Sequence, residues 1–336
     1  MRDECSYLIL VAIIQNNEVK NLNGKIAKSL NHNKIKLWKG IWKHRYLYAM
    51  SLPFVIWLFI FSYTPIWGWT MAFQKFKIRK AFFDQEFIGL NNFIELWSDE
   101  RFWIAFRNTL GMSIMGLIAG FVLPIIFALF LNELKSVFFK KGIQTISYLP
   151  HFVSWVVVAN IFLKMLSTDE GAVNNLLITL GIIKEPILFI AQPNLFWWIV
   201  TIASAWKETG WQSIIYIAAI AGIDKELYEA ARVDGCGRYK KMWHITLPGI
   251  STTIVILFVM AFGALTQIGF ERQMLLGNAI VMDYAEVIDL YALKYGIGVA
   301  RYSFGTAVGV FNLLISIMLL LIANTISKKV RHESVF

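Results

Sequence analysis

Charged residues are scarce in this 336-residue chain, and their scarcity excludes an ordinary soluble domain. Asp, Glu, Lys and Arg make up 16% of the sequence, against roughly 25% in soluble globular proteins. Hydrophobic residues make up 57%. Cysteine is also rare: Cys5 and Cys236 show no metal-ligand spacing, and we expect no disulfide. The composition is that of a membrane protein.

Nucleotide-binding and catalytic patterns are missing as well. Gly24-Lys25 lacks the upstream Gly and the following hydroxyl residue of a phosphate-binding loop. No convergent nucleophile appears, so we expect no enzyme, no catalytic residue, no cofactor and no metal in this chain. The histidines lack metal-ligand spacing, and we expect each to be hydrogen-bonded or exposed: His32, His44, His151, His244 and His332.

Long uncharged runs are the dominant positive feature. Five of them contain no Asp, Glu, Lys or Arg: 46–74, 108–132, 142–163, 242–270 and 302–327. Each is long enough to cross a hydrocarbon core, which needs about 20 helical residues. A sixth, 195–223, is interrupted by Lys207 and Glu208. Because the runs are continuously apolar, we predict helices and not a barrel. The fold class is an all-α membrane protein with six transmembrane helices.

The basic residues lie between the predicted helices and indicate orientation. With a cytoplasmic N-terminus, 20 of the 32 Lys and Arg residues fall on the cytoplasmic side. Another 11 are spread over longer outside loops that weigh little in orientation, and Lys207 lies within the interrupted run. We therefore predict that both termini are cytoplasmic, and that the net charge of +10 reflects membrane topology and not nucleic-acid binding. The domains are a basic N-terminal segment (1–45) with a possible interfacial helix, the membrane domain (46–327) and a cytoplasmic tail (328–336).

A polar loop, 224–248, separates two apolar runs. Asp224 can cap the N-terminus of a helix Lys225–Asp234, and Gly235 can take the left-handed conformation that ends it. So short a helix is marginal in water and must be stabilised by packing. An ordinary amphipathic loop helix would explain Glu-Ala-Ala alone, but not the spacing of the whole loop.

That spacing resembles the signature loop of the permease subunits of ATP-binding-cassette importers. Glu229-Ala230-Ala231 is followed after three residues by Gly235, and nine residues later by the Ile-x-Leu-Pro pattern that begins at Ile245. The segment 87–93, with Gly-Leu-Asn-Asn-Phe, resembles an element of sugar-type permeases, and 148–155 and 218–224 resemble the branch that imports complex oligosaccharides. Lys225 and Cys236 depart from the usual pattern, which has Pro and Ala there.

The resemblance implies a type I importer fold in a bacterial cytoplasmic membrane. It implies a second, homologous permease subunit, two cytoplasmic ATPase subunits that bind ATP and Mg, an external solute-binding protein and a sugar or oligosaccharide as solute. The loop would dock on the ATPase through residues that share this role: Asp224, Glu229, Ala230, Ala231, Asp234, Gly235, Ile245, Leu247 and Pro248.

Polar residues within the apolar runs are the hypothesis for the solute path. Ionisable groups at bilayer depth cost a few kcal/mol unless they are paired or hydrated, so they face protein or a cavity. The predicted path residues are Trp206, Glu208, Trp211, Gln212, Gln267 and Glu271. The alternative is structural: Trp206 and Trp211 as interfacial anchors, and the polar residues near Gln267 as helix-packing groups.

Two other functions remain open at this level. The same permease architecture could carry an amino acid, phosphate or polyamine, and the ligand of the cognate binding protein would separate these solutes. A self-sufficient secondary carrier or channel would transport without ATP, but it gives no reason for the Glu-Ala-Ala loop. The sequence does not identify the sugar or its linkage.

Overall fold

The computed structural model describes residues 43–331. The predicted N-terminal interfacial helix and the end of the tail therefore lie outside the described residues. The chain divides into two compact units, Met1–Gly68 and Trp69–Phe336. In the described part of the first unit, helix α1 (Arg45–Leu58) continues into a π-helix, Phe59–Tyr63. No residue of α1 is buried; such an apolar helix suits contact with lipid.

The second unit is helical except for a two-stranded antiparallel ribbon, in which Gln74 pairs with Phe87. It begins within a 3₁₀ helix, Thr64–Phe73, that leads into the ribbon strands β1 (Gln74–Lys75) and β2 (Glu86–Phe87). The long helices are α3 (Glu100–Glu133), α7 (Pro193–Ala221) and α15 (Tyr302–Arg331). The shorter ones are α2 (Asn91–Ser98), α4 (Val137–Tyr148), α5 (Trp155–Met165), α6 (Ala172–Thr179), α8 (Lys225–Val233), α9 (Arg238–Lys241), α10 (Leu247–Gly249), α11 (Ser251–Gly263), α12 (Glu271–Leu276), α13 (Met282–Ala285) and α14 (Ile288–Tyr291).

Helix ends follow local signals in the sequence. The Asp99 side chain accepts a hydrogen bond from the Arg101 backbone N–H at 2.8 Å and caps α3. Ser136 and Ser154 cap α4 and α5 in the same way. Pro193 occupies the first turn of α7, where its missing N–H costs nothing. These caps set where the membrane helices begin.

Within the described chain, three helical segments are long and apolar enough to span a membrane: Arg45–Phe73, Glu100–Glu133 and Tyr302–Lys329. Two bent pairs raise the number to five if each pair is one span: Val137–Phe152 with Trp155–Met165, and Arg238–Gly249 with Ser251–Gly263. The sixth predicted segment corresponds to α7. With 29 residues, it rises about 43 Å at 1.5 Å per residue, so length does not prevent it from spanning; its charged and polar residues lower its hydropathy.

The core lies where α3, α7 and the segment 276–290 meet. Met112, Phe196 and Ala203 are buried there. At Gly210 of α7 an added Cβ would overlap the backbone carbonyl of Ser147 in α4, so these two backbones touch. This contact brings the C-terminal end of α4 against the middle of α7, next to the charged residues of that helix.

Candidate functional site

The polar loop forms the helix that its sequence predicts. Asp224 Oδ1 accepts the Glu226 backbone N–H at 3.0 Å, and α8 runs from Lys225 to Val233, one residue shorter than expected. Gly235 has a φ of +69°, and the N–H of Cys236 donates to the Ala231 carbonyl at 2.9 Å. This pattern is a left-handed C-terminal cap.

One face of α8 packs on the chain and the other is exposed. Ala231 is 7% exposed, and the hydroxyl groups of Tyr228 and Thr246 lie 2.9 Å apart. On the opposite side Val233 is 88% exposed. Glu229, Ala230, Asp234 and Gly235 are exposed as well. Of the two predicted docking alanines, Ala230 therefore faces outward, whereas Ala231 supports the attachment of the helix.

The segment that follows α8 and α9 connects the loop to the long apolar helices. A π-helix, Met242–Thr246, contains Ile245 and leads into α10, which contains Leu247 and Pro248. The helical axis then bends by 61° between the segment Arg238–Gly249 and α11. Ile250 at this bend is buried with Tyr216 and Ile220 of α7 and Ala128 of α3. The segment that follows the loop therefore packs against α3 and α7 at the point where α11 begins.

A cavity of about 290 Å³ lies between α3, α7, the end of α11 and α12. Its lining is mainly apolar, and we call it the polar cavity after the polar side chains that interrupt this lining. Two predicted path residues, Glu208 and Gln212, line it. The sequence analysis did not identify the other polar residues that line it: Ser113, Thr201, Ser204, Thr209, Arg272 and Gln273. Within the described chain, the buried Ser113 Oγ, Thr209 Oγ1, Arg272 Nε and both amide atoms of Gln273 have no hydrogen-bond partner.

Glu208, in the cavity wall, belongs to a charged cluster. Its Oε2 lies 2.7 Å from His151 Nδ1, and its Oε1 lies 3.4 Å from Lys207 Nζ. Lys207 is 5% exposed and also donates to the His151 backbone carbonyl. The His151 ring stacks on Trp211 at 4.4 Å between centroids. Glu208 is therefore already paired, and Trp211 supports this pairing from outside the cavity.

Arg272 is held in the wall by fixed partners. Nη1 donates to Ser204 Oγ and Nη2 to the Ile268 carbonyl, each at 2.9 Å. The guanidinium carbon lies 5.9 Å from the centroid of the Trp155 ring. Burial lowers the pKa of Arg272, while the charges of Glu208 and Asp289 oppose the shift. Arg272 nevertheless stays charged, because a guanidinium is not deprotonated in proteins.

The remaining predicted path residues lie elsewhere. Gln267 lines a second cavity with Asp289 and donates to Ser316 Oγ at 3.2 Å. Trp206 is exposed beside Phe162, at 6.1 Å between centroids. Glu271 is exposed and lines neither cavity. The sequence signal for Arg272 was its position directly after the apolar run 242–270. The predicted topology places Arg272 in an external loop instead.

Comparisons with known proteins agree with this architecture. The sequence model of the family described as binding-protein-dependent transport system inner membrane component matches residues 120–332. The chain is 39% identical to the polygalacturonan/rhamnogalacturonan transport system permease protein YteP of Bacillus subtilis (strain 168), over 88% of this chain and 91% of that protein. It is 37% identical to Protein LplB of the same organism, over 88% and 92%.

Solved structures give the same result. A chain from the crystal structure of a bacterial ABC transporter involved in the import of the acidic polysaccharide alginate aligns with a TM-score of 0.80 and 40% identity. The alignment covers 88% of this chain and 99% of that one. The family match extends over more than half of the sequence, and both curated relatives exceed 30% identity along most of it. The chain belongs to the family of binding-protein-dependent transport system inner membrane components.

Proposed function

We propose that this chain is the transmembrane subunit of an ATP-driven importer of oligosaccharides in a bacterial cytoplasmic membrane. The observation that carries the proposal is the exposed outer face of α8. A helix this short is marginal in water without packing partners, and its outer face, which includes Val233 at 88% exposure, is uncovered. A cytoplasmic ATPase is the partner that would cover this face. Relatives named for polygalacturonan/rhamnogalacturonan and arabinooligosaccharide transport support a saccharide as solute.

The chain would form half of the solute path, with a second, homologous permease subunit as the other half. Two ATPase subunits would bind ATP and Mg, and an external binding protein would deliver the solute, as in the alginate transporter solved with a pentasaccharide-bound periplasmic protein. Closure of the ATPase dimer would move α8. Because Ile250 and Tyr216 share one buried cluster, that movement would reach α7 and change access to the polar cavity.

The proposal includes six spans, with both termini in the cytoplasm. The sixth is α7, in which Lys207 is compensated by Glu208 and by the His151 carbonyl; pairing of this kind makes ionisable groups tolerable within a membrane. Cysteine labelling in a background without Cys5 and Cys236 tests this. A probe at Asp283 should react from outside, and one at Arg238 only after permeabilisation. The opposite pattern would contradict the topology.

Reversing the charge of Glu229 tests the docking. Glu229→Lys should still insert, because Glu229 is exposed on α8 and touches no apolar span. We expect weak co-purification with the ATPase and loss of ATP-dependent uptake in proteoliposomes, since an unpaired charge in such a contact commonly costs about 2–5 kcal/mol. Glu185→Lys, at an exposed site of a different loop, is the control. Wild-type uptake by Glu229→Lys, or uptake with a hydrolysis-deficient ATPase, would refute the mechanism.

A further inference from the structure

The polar cavity combines buried hydrogen-bonding groups with a lack of protein partners. Gln273 is 1% exposed, and neither atom of its amide is bonded within the described chain. Leaving such groups unpaired costs about 1–3 kcal/mol each. The same holds for Ser113 Oγ and Thr209 Oγ1 on the facing helices. A solute rich in hydroxyl groups would provide partners for all three side chains.

Glu208 and Arg272, which both line the cavity, are partnered differently. Glu208 is paired with Lys207 at 3.4 Å and with His151 at 2.7 Å. Arg272 forms no ion pair with any described residue; its two bonds go to a neutral hydroxyl and a neutral carbonyl. Asp289, the other carboxylate whose charge acts on Arg272, accepts the Gly269 backbone N–H at 2.7 Å and does not line this cavity. Arg272 is therefore a cation in the cavity wall without an ion-pair partner of its own.

The geometry of Arg272 suits a planar anion. A guanidinium has five N–H donors in a fixed fork, and Ser204 and Ile268 take two of them. The bonds to these partners, together with Trp155 at 5.9 Å, fix the plane of the fork. A carboxylate fits such a fork through two parallel bonds that are about twice as strong as neutral ones.

We propose that the cavity selects acidic oligosaccharides, with Arg272 binding the carboxylate of a uronate unit and Ser113, Thr209 and Gln273 binding its hydroxyl groups. This rests on the proposed function, because it assumes that the chain carries saccharides. The volume of about 290 Å³ is at the lower end of ligand sites, roughly 300–1,000 Å³. It accommodates one sugar unit of a longer chain, so the selection acts on single units as they pass.

The test compares each acid with its own methyl ester, which removes the charge and keeps the sugar ring. The complex that co-purifies with the tagged chain is placed in nanodiscs without the solute-binding protein, so that this protein cannot contribute to the selection. Trimers of galacturonate, glucuronate and mannuronate, and their methyl esters, are titrated by calorimetry. We expect wild type to bind at least one acid about tenfold or more tighter than its ester.

Arg272→Gln should remove this preference and leave the affinity for the ester unchanged. Arg272→Lys should retain part of it, because the charge remains without the fork. Lys184→Gln, which removes an exposed loop cation, is the matched control and should behave as wild type. Co-purification of the ATPase shows whether each variant is folded.

Two results would overturn the inference. One is a wild-type complex that binds no acid better than its ester, a measurement that does not depend on any variant. The other is a folded Arg272→Gln complex that keeps the preference. If the complete importer takes up neutral oligosaccharides with ATP while either result holds, the proposed function stands and the acidic selection is wrong. If it takes up no saccharide of either class, the proposed function itself is wrong.

Discussion

Gly235 offers the sharpest test of how the loop works. It follows α8 with a φ of +69°, and the next N–H, that of Cys236, donates back to Ala231 at 2.9 Å. No heavy atom lies within 4 Å of the position that a Cβ would occupy. Gly235→Val therefore adds no steric clash with the rest of the chain, and its effect comes from the backbone conformation alone.

The magnitude follows from that conformation. An L-residue in the left-handed region costs roughly 1–2 kcal/mol, and a β-branched side chain is among the least tolerant. A penalty of one to two kcal/mol changes a population ratio by about 5- to 30-fold. A helix of nine residues has little stability of its own, so we expect the valine to release the end of α8 and the chain that leaves it.

The assay is co-purification of the ATPase, alongside ATP-dependent uptake in proteoliposomes, for membrane-inserted protein. Gly235→Val should weaken both, whereas Gly235→Asn should retain more, because Asn enters the left-handed region more easily. Gly237 supplies the matched control: it lies two residues away, has a φ of −67° and also has open space at its Cβ position. Gly237→Val should behave as wild type. Equal behaviour of the two valine variants would refute the reasoning.

Three further predictions concern the cap, the buried pair and a helix contact. Asp224→Ala should destabilise α8 by about 0.5–2 kcal/mol and reduce ATPase co-purification, whereas Asp224→Asn, which can still accept the bond, should not. Glu208→Gln should lower the melting temperature strongly, because removing one partner of a buried pair costs about 3–5 kcal/mol; a double change with Lys207→Met should recover most of the loss. Gly210→Ala should abolish folded protein in detergent, because its Cβ would overlap the backbone of α4, whereas Gly309→Ala, with open space, should not; a normal gel-filtration profile for Gly210→Ala would contradict that contact.

The loop could be predicted from the sequence because its determinants are local. The cap at Asp224 involves a residue two positions away, and the left-handed turn at Gly235 closes on Ala231. Such short-range hydrogen bonds depend on residue type and spacing, which a sequence displays directly. The outward position of Ala230 and the buried position of Ala231 could not be predicted from local sequence. They depend on how α8 packs on the rest of the chain, where Tyr228 bonds to Thr246.

The polar cavity could not be predicted because its residues are distant in the sequence. Ser113 belongs to α3, Thr209 to α7, and Arg272 and Gln273 to α12. In the sequence Arg272 follows an apolar run and has the appearance of a loop cation. The fold turns α12 back against α7, so that Arg272 bonds to Ser204, 68 positions earlier. Arg272 is then part of the cavity wall without an ion pair to any described residue, and the sequence shows neither property.

The cavity and α8 are linked by α7, which lines the cavity and ends shortly before α8, and this arrangement gives the proposed coupling a physical basis. Glu208 and Gln212 of α7 line the cavity, and α7 ends at Ala221, three residues before the cap of α8. From Gln212 to that end α7 rises only about 14 Å at 1.5 Å per residue. Within this stretch Tyr216 and Ile220 are buried against Ile250, so the helix cannot tilt at one end without moving the other. In the proposed mechanism, a displacement of α8 would act on the cavity wall through this stretch of α7.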